Sequence, residues 1–156
     1  MSHLDTDIMI KLLASPFDAR SISWRVGATT KDKSKAIPLA YLNSRDVMER
    51  LDEACGLDGW QCRYPFEGCC EISILIDGQW ITKTNGADQT NIEGVKGQYS
   101  GAFKRAAVLL GIGRYLYDVP NVWMPINQYK QFEKETIAEL NSKLTDWQIK
   151  YFAKKG

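Results

Sequence analysis

Histidine is almost absent from this chain: among 156 residues there is one, His3. A Ser/His or Cys/His nucleophile pair therefore has a single remote candidate. Four cysteines, Cys55, Cys62, Cys69 and Cys70, contain no Cys-x-x-Cys pair, so the closely spaced ligands of a zinc site are missing as well. No Gly-x-x-x-x-Gly-Lys-Ser/Thr loop occurs, which argues against ATP use through a P-loop. Gly111-Ile112-Gly113 opens like a dinucleotide fingerprint, but Leu116 stands in the third glycine's place and a helical pattern, not a strand, precedes it. A signal peptide, a transit segment and a long apolar run are all lacking, which points to the reducing cytoplasm and to free thiols.

An excess of one charge is lacking too. With 20 Lys and Arg against 19 Asp and Glu, the formal net charge is +1. Nothing global attracts nucleic acid, so a polyanion site must come from local clustering. Such clustering exists between Lys96 and Asp118, where Lys96, Lys104, Arg105 and Arg114 face one anion. A second group, Lys31, Lys33 and Lys35, lies in the loop-like run Gly27–Lys35 and reads as a solvated loop or as a further phosphate contact.

What is present is an ordinary globular composition, 44% apolar and 25% charged, enough for one domain with a full core. Leu4 to Ala14 predicts a helix with Ile8, Leu12 and Leu13 inward, ended by Pro16. Ser21 to Val26 reads as a short extended piece. Ser44 starts a helix through Ala54, with Val47, Met48 and Leu51 inward and Gly56 as its stop. The period then changes to two. Trp60, Cys62, Tyr64 and Phe66 alternate with Gln61 and Arg63, and Cys70, Ile72, Ile74 and Ile76 alternate with Glu71 and Ser73. Asp77-Gly78 is a two-residue hairpin signal leading into a third strand, Trp80 to Thr84.

The stretch from Asn91 to Pro120 then reads as a helix with two unlike faces. Val95, Tyr99, Ala102, Phe103, Ala106, Leu109 and Leu110 form an apolar stripe. Lys96, Ser100, Lys104 and Arg105 lie opposite, with Gly94, Gly97 and Gly101 among them. Glycine inside a helix costs about 1 kcal/mol against alanine. These glycines serve either close approach of a phosphate chain or admission of a neighbouring element. Beyond Pro125 the chain is helical. Ile137, Leu140, Leu144, Trp147 and Tyr151 form a seam that wants a partner, and Thr145-x-x-Gln148 is a capping box at which the helix breaks and restarts.

These patterns predict an α+β fold in which a three-stranded antiparallel meander is covered by a long helix, with flanking helices. Residues 1–125 form its body and 126–156 a C-terminal helical segment of the same domain, at a subunit interface or folded back. A metal-dependent nuclease using Glu71, Asp77 and Lys83, or a non-catalytic protein-interaction module, are the alternatives the residues leave open.

One ordered set goes further. It comprises Trp24-Arg25-Val26-Gly27, Tyr41, Leu51-Asp52-Glu53, Gly56, Gly59-Trp60 and the Asp77-Gly78 hairpin, followed by Lys96-Gly97, Lys104-Arg105-Ala106 and Gly111-Ile112-Gly113-Arg114-Tyr115. Over Phe17 to Pro120 this order resembles the Rad-fifty-two family of single-strand annealing proteins, its phage and bacterial branch most closely. The resemblance implies ATP-independent binding and annealing of single-stranded DNA in recombination and repair, without a cofactor or a catalytic residue. It also implies a β-β-β-α core and assembly into a homo-oligomeric ring with DNA in an outer groove. A single-strand-binding protein is a further candidate partner, a membrane is not, and a phage-encoded member would work in a bacterial host cell. Carried over by position, Lys104 and Arg105 contact the phosphate backbone, joined by Lys96, Arg25 and Tyr41. Each has a plainer reading: Arg25 pairs with Asp18 or Asp52, Tyr41 belongs to the core, and Arg114 caps its helix. The chain departs from eukaryotic members at Val108, where some carry a further cation, and it lacks their C-terminal partner-binding extension.

Overall fold

A computed structural model describes residues 5–88 and 94–155. His3, Leu4 and Asn91 lie outside the described residues. The chain forms two compact units, one from residues up to Ser15 together with Ser44–Arg114, the other from Pro16–Asn43 together with residues 115 onward. The units cut across a division at residue 125.

The first unit contains the expected meander. Strands β3 (Trp60–Arg63), β4 (Cys69–Ile76) and β5 (Gln79–Gly86) pair antiparallel in the order β3-β4-β5. Asp77 and Gly78 both have positive φ, +50° and +80°, the two left-handed residues that a type I′ turn needs. Cys70, Ile72 and Ile74 are buried on one face. Helix α3 (Gly94–Leu109) covers that face through Ala102, Phe103, Ala106 and Ala107. The phase of the apolar stripe differs from expectation at its ends. Val95 and Leu109 are 48% and 40% exposed, and Ala107 takes the inward place.

Two further helices complete this unit, α1 (Thr6–Leu13) and α2 (Ser44–Cys55). In α1 the buried residues are Met9 and Leu13, while Ile8 points outward at 53% exposure, so the expected phase was one residue early. In α2, Val47 and Leu51 are buried as expected and Met48 is exposed. The buried face extends instead to the opposite flank, to Ala54 and to Arg50, which is 7% exposed and donates to the carbonyls of Leu12, Leu13 and Ser15. Gly56 ends α2 in the left-handed region at φ +81°. Gly59 then allows the chain into β3. A Cβ there would lie 1.9 Å from the Cys55 carbonyl oxygen, and only a backbone shift relieves that contact. Gly59→Ala should cost about 1–3 kcal/mol of stability, as overpacking does. A thermal melt matching the parent would show that the turn relaxes freely.

The second unit holds a sheet that the periodicity did not show. Strands β1 (Ser23–Thr29) and β2 (Lys35–Tyr41) form an antiparallel hairpin, and β6 (Met124–Pro125) adds to β2. Lys31, Lys33 and Lys35 thus sit at an exposed hairpin tip rather than in a long loop. Asp32 ties that tip by accepting from Thr30 Oγ1 and from the backbone and hydroxyl of Ser34, contacts that hold its carboxyl down at about 2.

Helix α4 (Lys134–Lys155) runs unbroken through Thr145, whose hydroxyl bonds back to the Asn141 carbonyl instead of capping a new start. Its apolar seam is covered within the unit. Leu140 and Leu144 are buried, and Trp147 stacks on Tyr115 at 6.3 Å. Gln148 is buried too. Its amide donates to the Phe17 carbonyl and accepts from Tyr115 Oη.

Candidate nucleic-acid interface

Helix α3 carries three of the five expected contact residues. Arg105 and Lys96 are exposed, and Lys104 is half-buried. At 100° per residue Lys96 and Lys104 stand about 80° apart, whereas Lys96 and Arg105 stand on opposite sides of the axis. Lys104 and Arg105 therefore form one cationic pair, and Lys96 extends it by way of Lys104 only. Ser100, read as part of the same polar face, lies 2.8 Å from Ser44 Oγ and helps dock α3 on α2.

The helix glycines have a packing explanation at Gly101, where a Cβ would meet the Ala87 Cβ at 3.3 Å. At that position the small residue admits the chain that leaves β5. Beside it lies an open polar cleft of about 380 Å³, lined by Glu67, Gly68, Gly86, Asp88, Gln98 and Arg105 among others. Gly68 has φ +70°, and a Cβ there would strike the Gln98 amide at 2.2 Å. Gln98 Nε2 donates to the Ala87 carbonyl, while its Oε1 is buried with no hydrogen-bond partner among the described residues. Gln98 was not singled out in the sequence, although its seven-residue spacing from Arg105 places both on one helix face.

The end of α3 settles two motifs. The amide of Gly111 donates to the Val108 carbonyl and that of Ile112 to the Ala107 carbonyl, with Gly111 at φ +98°. This is a Schellman cap. Gly111-Ile112-Gly113 is therefore a helix stop with Ile112 buried behind it, not a nucleotide fingerprint. Arg114 donates to the carbonyls of Val108 and Leu109, both at 3.0 Å, so its capping role holds.

Arg25 and Tyr41 lie in the other unit, and the hairpin brings them together. The Arg25 guanidinium sits 6.0 Å from the centre of the Tyr41 ring, a cation–π distance. Of its expected acidic partners, Asp18 is held by Arg20 at 2.9 Å and Asp52 accepts from the Trp60 indole at 2.7 Å. Arg25 is exposed and Tyr41 half-buried.

The residues of the nuclease alternative are not assembled. Glu71 is bound to Arg63 at 2.6 Å. Lys83 pairs with Ile72 and so lies on the opposite face of the sheet from Glu71. Asp77 is at the turn, six positions and about 20 Å along β4 from Glu71. No cluster of three metal-binding side chains occurs among the described residues. No helix among them is long and apolar enough to cross a membrane.

Comparison with known proteins gives a consistent match. The Rad52/22 family double-strand break repair protein model matches residues 6–68 and 67–135. The single-stranded DNA-binding protein DdrA of Deinococcus deserti is 34% identical over 126 residues, 78% of this chain and 62% of that protein. Its namesake in Deinococcus radiodurans is 33% identical over 118 residues, 72% of this chain and 56% of that protein. The chain thus spans about three fifths of the length of these relatives.

Proposed function

The chain belongs to the Rad52/22 family of double-strand break repair proteins, and on that premise we propose that it binds single-stranded DNA and anneals complementary strands without a nucleotide cofactor. The observation that carries this reading is the adjacent Lys104-Arg105 pair on a helix anchored by its other face to a β-meander. A rigid support holds the cations at fixed spacing. A sugar-phosphate chain is then gripped with its bases left outward to sample a second strand. Lys96 lengthens the track, and Arg25 with Tyr41 supplies a cation and an aromatic face on the β1–β2 hairpin.

Self-assembly into a head-to-tail ring belongs to the same reading, and the meander edges support it. Leu140 and Leu144 of the α4 seam are buried within their own unit, while Ile137, Trp147 and Tyr151 stay half-buried. The meander, however, ends on one side in β5, whose residues Gln79–Thr84 are all exposed, Trp80 and Ile81 included, and on the other side in β3. Two unlike edges, unpaired among the described residues, are what a repeating heterologous contact requires. A ring would line up α3 helices and turn a few phosphate contacts per subunit into avid binding. A strict monomer in solution at micromolar concentration, with and without DNA, would overturn the ring.

Fluorescence anisotropy with labelled oligo-dT tests the contact residues. Affinity should fall steeply with salt, and Arg105→Ala should weaken binding and flatten the log–log slope by about 0.7, one phosphate contact on a single strand. Its melting temperature should stay at the parent value, because the side chain is exposed. Lys104→Ala should weaken binding in the same direction. A salt-independent affinity would refute the phosphate grip. Incubation of the strand with magnesium or manganese should leave its length unchanged, and mixing complementary strands without ATP should give duplex.

A further inference from the structure

The four cysteines are unbridged, and two of them meet. The β3–β4 register sets Cys62 opposite Ile72. Cys70 lies two residues from Ile72 on the same, helix-facing side, so the two thiols are diagonal neighbours across the ladder. Their sulfurs are 3.4 Å apart. Cys70 is fully buried and Cys62 half-buried, so a small reagent reaches the pair through Cys62. Two aromatic contacts flank the pair, Trp60 against Phe103 at 6.3 Å and Tyr64 edge-on to Tyr99 at 5.0 Å. Cys69 points to the other face of the sheet by strand alternation.

We propose that Cys62 and Cys70 form an oxidisable thiol pair, with Cys62 the sulfur that meets a hydroperoxide and Cys70 the sulfur that resolves it into a disulfide joining β3 to β4. In the first step the Cys62 thiolate attacks one peroxide oxygen. An S–O bond forms, the O–O bond breaks, hydroxide leaves, and Cys62 becomes a sulfenic acid. In the second step the Cys70 sulfur attacks the Cys62 sulfur. The S–S bond forms, the S–O bond breaks, and the departing hydroxide takes the Cys70 proton to leave as water. The two thiols lose two electrons and hydrogen peroxide gains them, giving two waters.

Electrostatics divides the roles in the same sense. Hydrogen bonding from the Cys70 thiol, aided by the Tyr64 hydroxyl, outweighs burial and holds the Cys62 thiol down at about 7. The same contact, with burial, pushes Cys70 well above the ordinary thiol range. Burial pushes Cys55 up to about 11, so it is a poor competitor for peroxide.

Intact mass of the reduced full chain after a stoichiometric dose of hydrogen peroxide tests the pair. The mass should fall by about 2 Da, two hydrogens, and return with dithiothreitol. Cys55→Ala and Cys69→Ala should keep that loss, and Cys62→Ala should abolish it. Cys70→Ala should leave a sulfenic acid on Cys62 that dimedone labels. If Cys70→Ala fails to fold, the Cys62→Ala and Cys69→Ala arms still decide. No mass loss in the parent, persistence of the loss in Cys62→Ala, or its disappearance in Cys69→Ala would each overturn the assignment.

Discussion

Replacing Arg50 with alanine should lower the unfolding free energy by about 3–5 kcal/mol, since a charged donor serving several carbonyls is worth more than an ordinary hydrogen bond. Its Nη1 lies 3.1, 3.3 and 2.7 Å from the carbonyl oxygens of Leu12, Leu13 and Ser15. Leu12 and Leu13 belong to the last turn of α1, where a helix leaves its carbonyls without donors four residues on. Leu12 also accepts from the Ser15 amide at 3.1 Å, and Ser15 lies just beyond the helix. With alanine the Leu13 and Ser15 carbonyls lose this charged donor, and the contact between α1 and α2 loses its side-chain hydrogen bonds. Arg50→Lys should recover part of the loss, because all three contacts come from one nitrogen and an ammonium, on a shorter stem, also offers three N–H donors. Arg50→Met is the decisive comparison. It keeps a long apolar stem, so a urea midpoint equal to the parent's would show that packing, not the guanidinium, joins the helices.

Phe103→Ala should cost a similar amount, about 3–5 kcal/mol, by a different route. Phe103 is 3% exposed, packed beside Trp60 beneath α3 with Ala102, Ala106 and Ala107 as its inward neighbours. Those alanines are too small to fill the space that a phenyl ring leaves, so the cavity persists and the helix loses its main anchor to the sheet. The Arg105→Ala expectation is the reverse: weaker DNA binding at unchanged stability. Thermal melts and anisotropy on both variants read the two faces of one helix. Stability lost at Arg105 with binding lost at Phe103 would mean that α3 sits the other way round.

The meander was legible because its alternation from Trp60 to Thr84 is broken only by the Pro65–Gly68 connection and by Asp77-Gly78, both rich in turn residues. Helix α3 was legible for the same reason, apart from its frayed stripe at Val95 and Leu109. Strand β2 was not legible. It begins at Lys35 after a cationic run and contains Pro38, which normally argues against a strand. Its buried positions are Ala36 and Pro38, while the bulkier Leu39 is 39% exposed, so side-chain size pointed to the wrong face. Arg50 escaped notice and Gln148 was read only as a capping residue, because polar residues on amphipathic helices usually face water. Their burial follows from the carbonyls of distant segments, and no local pattern records those. The Cys62–Cys70 contact is likewise a matter of register. Their sequence separation matches no ligand or redox motif, and only the pairing of β3 with β4 brings them together.

The two units are interleaved along the chain, each built from two separated segments. During synthesis the meander unit can close once α3 and its Schellman cap have emerged. The β1–β2 hairpin is made earlier, yet β6 and α4 come about a hundred residues after it. At roughly 5–20 residues per second, several seconds separate the appearance of Trp24 from that of Asn141, the residue that accepts its indole N–H at 2.8 Å. For most of that interval the hairpin lacks its third strand, and for all of it the complete helix. A nascent chain whose emerged part ends before Met124 would display it to chaperones and to neighbouring chains, while one with Lys155 clear of the ribosome would not.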